Sequence, residues 1–66
     1  MRVKWNGEEW VAQEATDKGA IRCPFSKRVM QIYHPGDMVL ERFEEGHQVA
    51  VALPQMVFAE RCEVMQ

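Results

Sequence analysis

The stretch "VKWNGEEW", residues 3–10, decides the fold. Asn and Gly tolerate the positive φ of a two-residue type I′ turn, so Asn6-Gly7 between apolar flanks predicts a β-hairpin. The turn predicts antiparallel strands over residues 2–5 and 8–14.

The two predicted strands have chemically opposite faces, because successive side chains of a strand alternate. On the polar face, Lys4 and Glu9 lie directly opposite each other, and we expect them to form a cross-strand ion pair. The apolar face carries Val3, Trp5, Trp10 and Ala12.

Length and composition limit the possible classes. Sixty-six residues make a single domain, expected over residues 1–66. At 47% hydrophobic and 27% charged residues, the chain has the composition of a folded protein. Ten acidic and eight basic residues give a net charge of −2, which argues against a nucleic-acid partner.

The N-terminal residues predict no export signal. Arg2 and Lys4 precede the polar residues 6–9 rather than an apolar run, so we expect no signal peptide. No apolar stretch reaches the roughly 18 residues of a membrane span. We therefore expect a cytoplasmic location without membrane contact.

The segment after the first hairpin begins with a turn predicted at residues 15–20, in which Gly19 can take a left-handed conformation. A proline limits residues 21–25 to an edge strand or a bend. Residues 28–33 alternate and predict a strand; a helix beginning at Ser26 is the alternative.

His34-Pro35-Gly36-Asp37 fits a type II turn, with proline and glycine at its two central positions and a strand after it. The functional alternative is that His34 and Asp37 form an acid–base pair. That alternative needs a nucleophile, and the sequence places no Ser or Cys beside them, so we interpret the tetrapeptide as a turn.

"FEEGHQVAVAL", residues 43–53, predicts a second hairpin. A three-residue loop over residues 44–46, with Gly46 left-handed, would set Phe43 opposite His47. Both faces of this hairpin are substantially apolar, so we expect it to be central in the sheet.

Apolar residues after Pro54 recur at helical spacing, which predicts a helix over residues 54–61, followed by a short final strand or tail over residues 62–65. The predicted fold is mainly β: a small curved antiparallel sheet or an SH3-like barrel with one short C-terminal helix.

The C-terminal half resembles a module of short phage and prophage accessory proteins. The resemblance covers about residues 34–64 and is carried by "PGDMVL", a Gly-containing hairpin and "LPQMVFAERCEV", with its Pro-x-x-x-Phe helix. The sequence departs from the module at Cys62-Glu63, where an aromatic residue would precede the glutamate. The resemblance implies a phage-like origin and no defined activity.

Cys23 and Cys62 are predicted to be reduced, partly buried thiols, with a disulfide or a metal site as alternatives. A zinc site would also need His34 and His47, yet each of these four residues is more than ten positions from the next, unlike the close pairs of structural zinc sites. Catalytic and phosphate-binding motifs are missing from the sequence. We therefore expect no cofactor and no enzymatic activity.

The sequence favours a protein-binding module. With the resemblance, this implies a phage-borne inhibitor or modulator of a host defence or regulatory protein. One alternative is a small nucleic-acid-binding barrel using Arg22, Lys27 and Arg28 with Tyr33 or Phe25 as stacking groups. Sequestration of a small molecule by a dimer is another. A chain this short with so many large apolar residues also predicts a homodimer. The candidate partner-binding residues are Trp5, Trp10, Glu41, Glu44, Glu45 and Phe58.

Overall fold

A computed structural model describes residues 1–65, which form two antiparallel sheets and one helix. Five strands form a sheet in the order β6-β5-β2-β1-β7, and β3 pairs with β4 in a separate two-stranded sheet. The predicted mainly-β fold with one short C-terminal helix is confirmed. The elements are β1 (Arg2–Trp5), β2 (Glu8–Glu14), β3 (Gly19–Arg22), β4 (Val29–Tyr33), β5 (Met38–Glu44), β6 (His47–Leu53), α1 (Gln55–Arg61) and β7 (Glu63–Val64).

The first hairpin has the predicted strands and register, with Val3 opposite Trp10. Asn6 and Gly7 have φ of 54° and 79°, as a type I′ turn requires. The predicted ion pair was wrong: the Glu9 carboxylate pairs with Arg2 at 2.9 Å, diagonally across the two strands, rather than with Lys4. The longer, forked guanidinium can span this diagonal.

The second hairpin differs from the prediction by one residue. Its loop contains two residues, Glu45 and Gly46 at φ of 51° and 82°, so Glu44 rather than Phe43 lies opposite His47. The physical reason is burial, because a one-residue shift moves every side chain of a strand to the other face. In the observed register the large aliphatic residues of both strands share one face: Met38, Leu40, Val49, Val51 and Leu53. The expected central position was also wrong for β6, which ends the strand order.

The side of the five-stranded sheet that carries these aliphatic residues is the core face. Helix α1 and Cys62 lie on this face, with Val57 and Phe58 packed against the buried cluster. The predicted helix and the short final strand are both confirmed. The buried cluster contains Val3, Trp10, Ala12, Met38, Leu40 and Leu53.

The opposite side of the sheet is the outer face. The β3–β4 hairpin lies along its β5–β6 half, where Ile21 and Tyr33 form a groove with Val39 and Ala50. Backbone hydrogen bonds between Ala15 and residues 36–37 fix the base of this hairpin to the end of β2. The β1–β2 half of the outer face carries no such cover from the described residues.

The turn predicted at residues 15–20 is shorter than expected, because Gly19 already belongs to β3. It is a strand residue opposite Tyr33, and it is not among the residues with positive φ. What requires glycine is space: a Cβ built on Gly19 would collide with the phenol ring of Tyr33. The helix considered from Ser26 was wrong as well, because residues 24–26 form the turn between β3 and β4.

The chain exposes an unusually large surface for its size. Its accessible surface is 4944 Å², whereas a compact monomer of 7.7 kDa exposes about 4,300 Å². The Cα atoms span 33 × 28 × 15 Å, so the molecule is thin in one direction. One sheet with a short helix on one side and a hairpin on part of the other therefore leaves apolar surface uncovered.

Replacing Gly19 tests the close approach of Tyr33. We expect Gly19→Ala to lower the free energy of unfolding by about 1–3 kcal/mol, since an added methyl group in a packed contact forces its neighbours apart. Introducing the same change in a Tyr33→Ala background removes the obstructing ring and should cost much less. Urea denaturation of the four proteins measures the coupling; equal losses in both backgrounds would contradict the contact.

Candidate functional site

Trp5 and Trp10, two of the predicted partner-binding residues, pack against each other at the core. Trp10 is only 5% exposed and belongs to the core. Its indole N–H donates to the Trp5 carbonyl at 3.0 Å, and the two rings meet edge to face with centroids 5.6 Å apart. Trp10 is therefore part of the core, and Trp5 is half-buried against it.

Arg42, which the sequence did not single out, closes the core beside Trp10. Its guanidinium lies 4.9 Å from the centroid of the Trp10 ring, a cation–π distance. It also pairs with Glu44 at 3.1 Å and with Glu8 at 3.5 Å. Glu44 thus lies in an ion pair at the margin of the core, with its side chain 57% exposed.

The remaining predicted residues lie on opposite sides of the sheet. Phe58 is half-buried in the helix–core contact. Glu41 is exposed on the outer face, and Glu45 is exposed in the β5–β6 turn. Of the six predicted residues, only Glu41 and Glu45 are both exposed and outside the ion pairs that the structure describes.

The His34–Asp37 segment is a turn, as interpreted from the sequence. The Asp37 N–H donates to the His34 carbonyl at 3.1 Å. The Asp37 carboxylate accepts from the backbone N–H of His34 at 2.9 Å. The carboxylate is thus engaged with the backbone of His34, and this geometry gives no support to an acid–base pair.

The orientation of the β3–β4 hairpin depends on the Gln31 side chain. Its amide NH₂ donates to the Ala52 carbonyl at 2.7 Å, and its amide oxygen accepts from the Ala52 N–H at 3.0 Å. Ala52 belongs to the edge strand β6, so Gln31 satisfies backbone groups that a neighbouring strand would otherwise pair. This pair of hydrogen bonds directs Gln31 inward and fixes which side of β4 faces the sheet.

As a result, β4 has its apolar side chains on the outside. Half-buried Gln31 and Tyr33 point inward, whereas Met30 is 70% exposed and Ile32 is also exposed. A register shift opposite Arg22 interrupts the alternation, which leaves Val29 exposed beside Met30. At the tip, Phe25 contacts the His47 ring edge to face at 4.6 Å yet remains 72% exposed. These four residues form the hairpin patch: Phe25, Val29, Met30 and Ile32.

The hairpin also differs from the rest of the chain in charge. Residues 19–34 contain Arg22, Lys27 and Arg28 and no acidic residue. They therefore carry +3, and because the whole chain carries −2, the other residues together carry −5. All three basic residues are exposed near the tip. The hairpin is thus a basic, apolar arm on an acidic body.

A second apolar patch lies on the open part of the outer face. Phe43 is 75% exposed and Val11, on the neighbouring strand, is exposed as well. Val11 lies opposite Glu41, so all three side chains are on the outer face. Glu41 and Glu45 flank Phe43 along the chain and are acidic neighbours of this patch, whereas Arg2, directly opposite Val11 in β1, is a basic neighbour. We call Val11 and Phe43 the sheet patch.

The two thiols are free and half-buried, as predicted, but their environments differ. The Ser26 side chain, with the backbone N–H groups of Ser26 and Phe25, lowers the pKa of the Cys23 thiol by hydrogen bonding. Burial raises the pKa of the Cys62 thiol. Among residues 1–65, His, Cys, Asp and Glu side chains do not gather in any group of three that could hold a metal ion.

Within the part of the chain that the structure describes, no helix has the length and hydropathy to cross a bilayer. No family model matches the chain, and comparisons with curated proteins and with solved structures found no match. The surface chemistry of the two patches is therefore the basis on which a function is inferred.

Removing the Gln31 amide tests whether it anchors the hairpin. Gln31→Ala leaves the buried N–H and carbonyl of Ala52 without partners, and we expect it to lower the free energy of unfolding by about 1–3 kcal/mol. Gln48→Ala is the matched control, because that exposed amide bonds only to the Glu41 side chain. Urea denaturation with hydrogen exchange at Ala52 measures the difference. Equal, small effects of both substitutions would count against the anchor.

Thiol reactivity tests the two pKa directions. At a pH near 8, a lower pKa gives Cys23 the larger thiolate fraction, so we expect iodoacetamide to alkylate Cys23 faster than Cys62. Ser26→Ala should slow the reaction of Cys23 and leave Cys62, the internal control, unchanged. Mass spectrometry of proteolytic peptides over time gives both rates. A Cys23 rate insensitive to Ser26 would refute the assigned cause.

Proposed function

We propose that this chain is a protein-binding module whose contact surface is the hairpin patch with its basic rim. The observation that carries the proposal is the inverted strand β4, with Gln31 and Tyr33 inward and Met30 and Ile32 in solvent. A strand with one solvated face ordinarily places its polar residues there.

Exposing the apolar side chains of β4 to water costs free energy, and a partner that buried them would remove this cost. Burying an exposed Met, Ile or Phe side chain is worth about 1.5–3 kcal/mol when burial is complete. Scattered exposed apolar residues are normal, but contiguous ones typically mark an interaction site. Met30 and Ile32, which lie on the same side of β4, fit that description, and Phe25 and Val29 are exposed on the same short hairpin.

The charge of the hairpin specifies the partner further. Arg22, Lys27 and Arg28 belong to the same hairpin as the apolar patch, and residues 19–34 contain no acidic residue. Complementary surfaces attract each other and exclude wrong partners, so the partner surface is apolar with an acidic rim. If the resemblance of residues 34–64 to phage accessory proteins reflects the chain's origin, that partner is a bacterial host protein, inhibited or modulated by occupation of its surface.

Nucleic-acid binding is the second candidate, supported by one observation. Lys27 and Arg28 lie at the hairpin tip with exposed Phe25, as a stacking group would require. Tyr33, the other stacking candidate, packs against Gly19 at the base of the hairpin, away from the tip. The acidic body also opposes a polyanion. Salt-dependent submicromolar binding to a single-stranded oligonucleotide would reverse this ranking.

A charge placed in the hairpin patch tests the protein-binding proposal. Met30→Lys should abolish capture of the partner from bacterial lysate, because it puts a solvated ammonium group into an apolar contact. Met56→Lys is the matched control, since Met56 is equally exposed, at 76%, but lies on helix α1 on the other side of the sheet.

Capture is measured by mass spectrometry of proteins retained on the immobilised chain. The proposal predicts a protein retained by the original chain and by Met56→Lys and lost with Met30→Lys. The same retained proteins on all three would show that the hairpin patch is not the contact surface.

A further inference from the structure

We infer that in the free protein a second copy of this chain occupies the hairpin patch, in a two-fold dimer in which the hairpin of each copy lies on the sheet patch of the other, and that the binding of another protein to the patch displaces this copy. The inference rests on the proposed function, because it names the occupant of the same surface. It accounts for both apolar patches at once.

The layout of the outer face makes this dimer self-complementary. The hairpin lies along the β5–β6 half, and the half near Val11 is open. A two-fold axis that lies in the plane of the interface and parallel to the strands exchanges these halves, so each hairpin faces the open half of its partner. A two-fold interface of this kind is closed and covers each patch twice.

The charges favour hairpin on sheet patch over the two other ways of pairing the patches. Hairpin on hairpin would bring two sets of three basic residues together, and sheet patch on sheet patch would bring Glu41 and Glu45 against their own copies. Hairpin on sheet patch instead sets Lys27 and Arg28 near these carboxylates, while the basic residues of the open half, Arg2 and Lys4, lie beside Glu9, to which Arg2 is ion-paired at 2.9 Å. Like charges at an interface are costly and opposite charges fix its register.

The excess accessible surface of the chain is similar to the area that a dimer interface would bury. The accessible surface of 4944 Å² exceeds that of a compact monomer of this mass by about 600 Å². A specific interface buries roughly 600–1,000 Å² of each partner, so about 600 Å² lies at the lower end of that range. Pairing of two copies would therefore return the chain to the surface that its mass predicts, and a second copy is one of the usual ways in which a domain this small is stabilised.

Sedimentation equilibrium of the whole chain, from about 1 to 200 µM, is the first experiment. We expect a monomer–dimer equilibrium. Met30→Lys, in the hairpin patch, and Phe43→Lys, in the sheet patch, should each weaken dimerisation at least tenfold, whereas Met56→Lys should not. The side chains concerned are exposed, so circular dichroism should report unchanged folding.

A charge exchange tests the pairing of the two patches. The double variants Lys27→Glu with Arg28→Glu, and Glu41→Lys with Glu45→Lys, each oppose like charges and should be monomeric alone. Mixing them restores opposite charges at both contacts, so native mass spectrometry should show the mixed dimer. Two variants that had merely lost their fold could not be rescued in this way.

The outcomes separate the inference from the proposed function. A monomer at every concentration, with lysate capture still lost in Met30→Lys, overturns the dimer and leaves the protein-binding function. A dimer that tolerates Met30→Lys and Phe43→Lys, or variants that fail to pair when mixed, overturns the patch-to-patch geometry. A monomer at every concentration, with the same proteins captured by the original chain and by Met30→Lys, would remove both proposals.

Discussion

The Gln31 amide is the contact on which the arrangement of the outer face depends. By donating to and accepting from the backbone of Ala52, it does for the edge of β6 what another strand would do, and it holds β4 in one register. A slip of one residue would turn Met30 and Ile32 inward, lose both hydrogen bonds and displace the Tyr33 ring from the space that Gly19 leaves open. The exposed apolar patch is therefore a consequence of specific polar contacts.

Most of the fold could be predicted because local chemistry specifies it. Asn6-Gly7 sets the first hairpin and its register, and His34 to Asp37 form the turn that their residue types favour. The register of the second hairpin was missed although a signal existed: pairing that keeps Leu40 and Val51 on one face buries more aliphatic surface and favours the two-residue loop. Turn chemistry alone was a weaker guide than burial.

The candidate site could be predicted much less well. The two tryptophans are conspicuous in the sequence, yet Trp10 lies in the core, covered on one side by Arg42 from the neighbouring strand β5. Strand periodicity cannot reveal that β4 is inverted, because the cause lies in a contact between positions 31 and 52, and the ordinary rule would place Gln31 in solvent. A side-chain amide that pairs with a distant edge strand leaves no local pattern.

The separation between core and patch has a consequence for function. The buried cluster lies on the core face under α1, whereas the hairpin patch and sheet patch lie on the other side of the sheet. Contacts made by the patches therefore add to a fold whose core does not include them, and surface substitutions there can change affinity without removing core packing. The hairpin, with a charge of +3, and the rest of the chain, with −5, also attract complementary charges on a partner. This electrostatic attraction acts before the apolar surfaces touch, and it weakens with salt. A partner that satisfied only the apolar patches would bind without orientation; one that also matched the segregated charge would be held in a single register, and another copy of this chain carries both features.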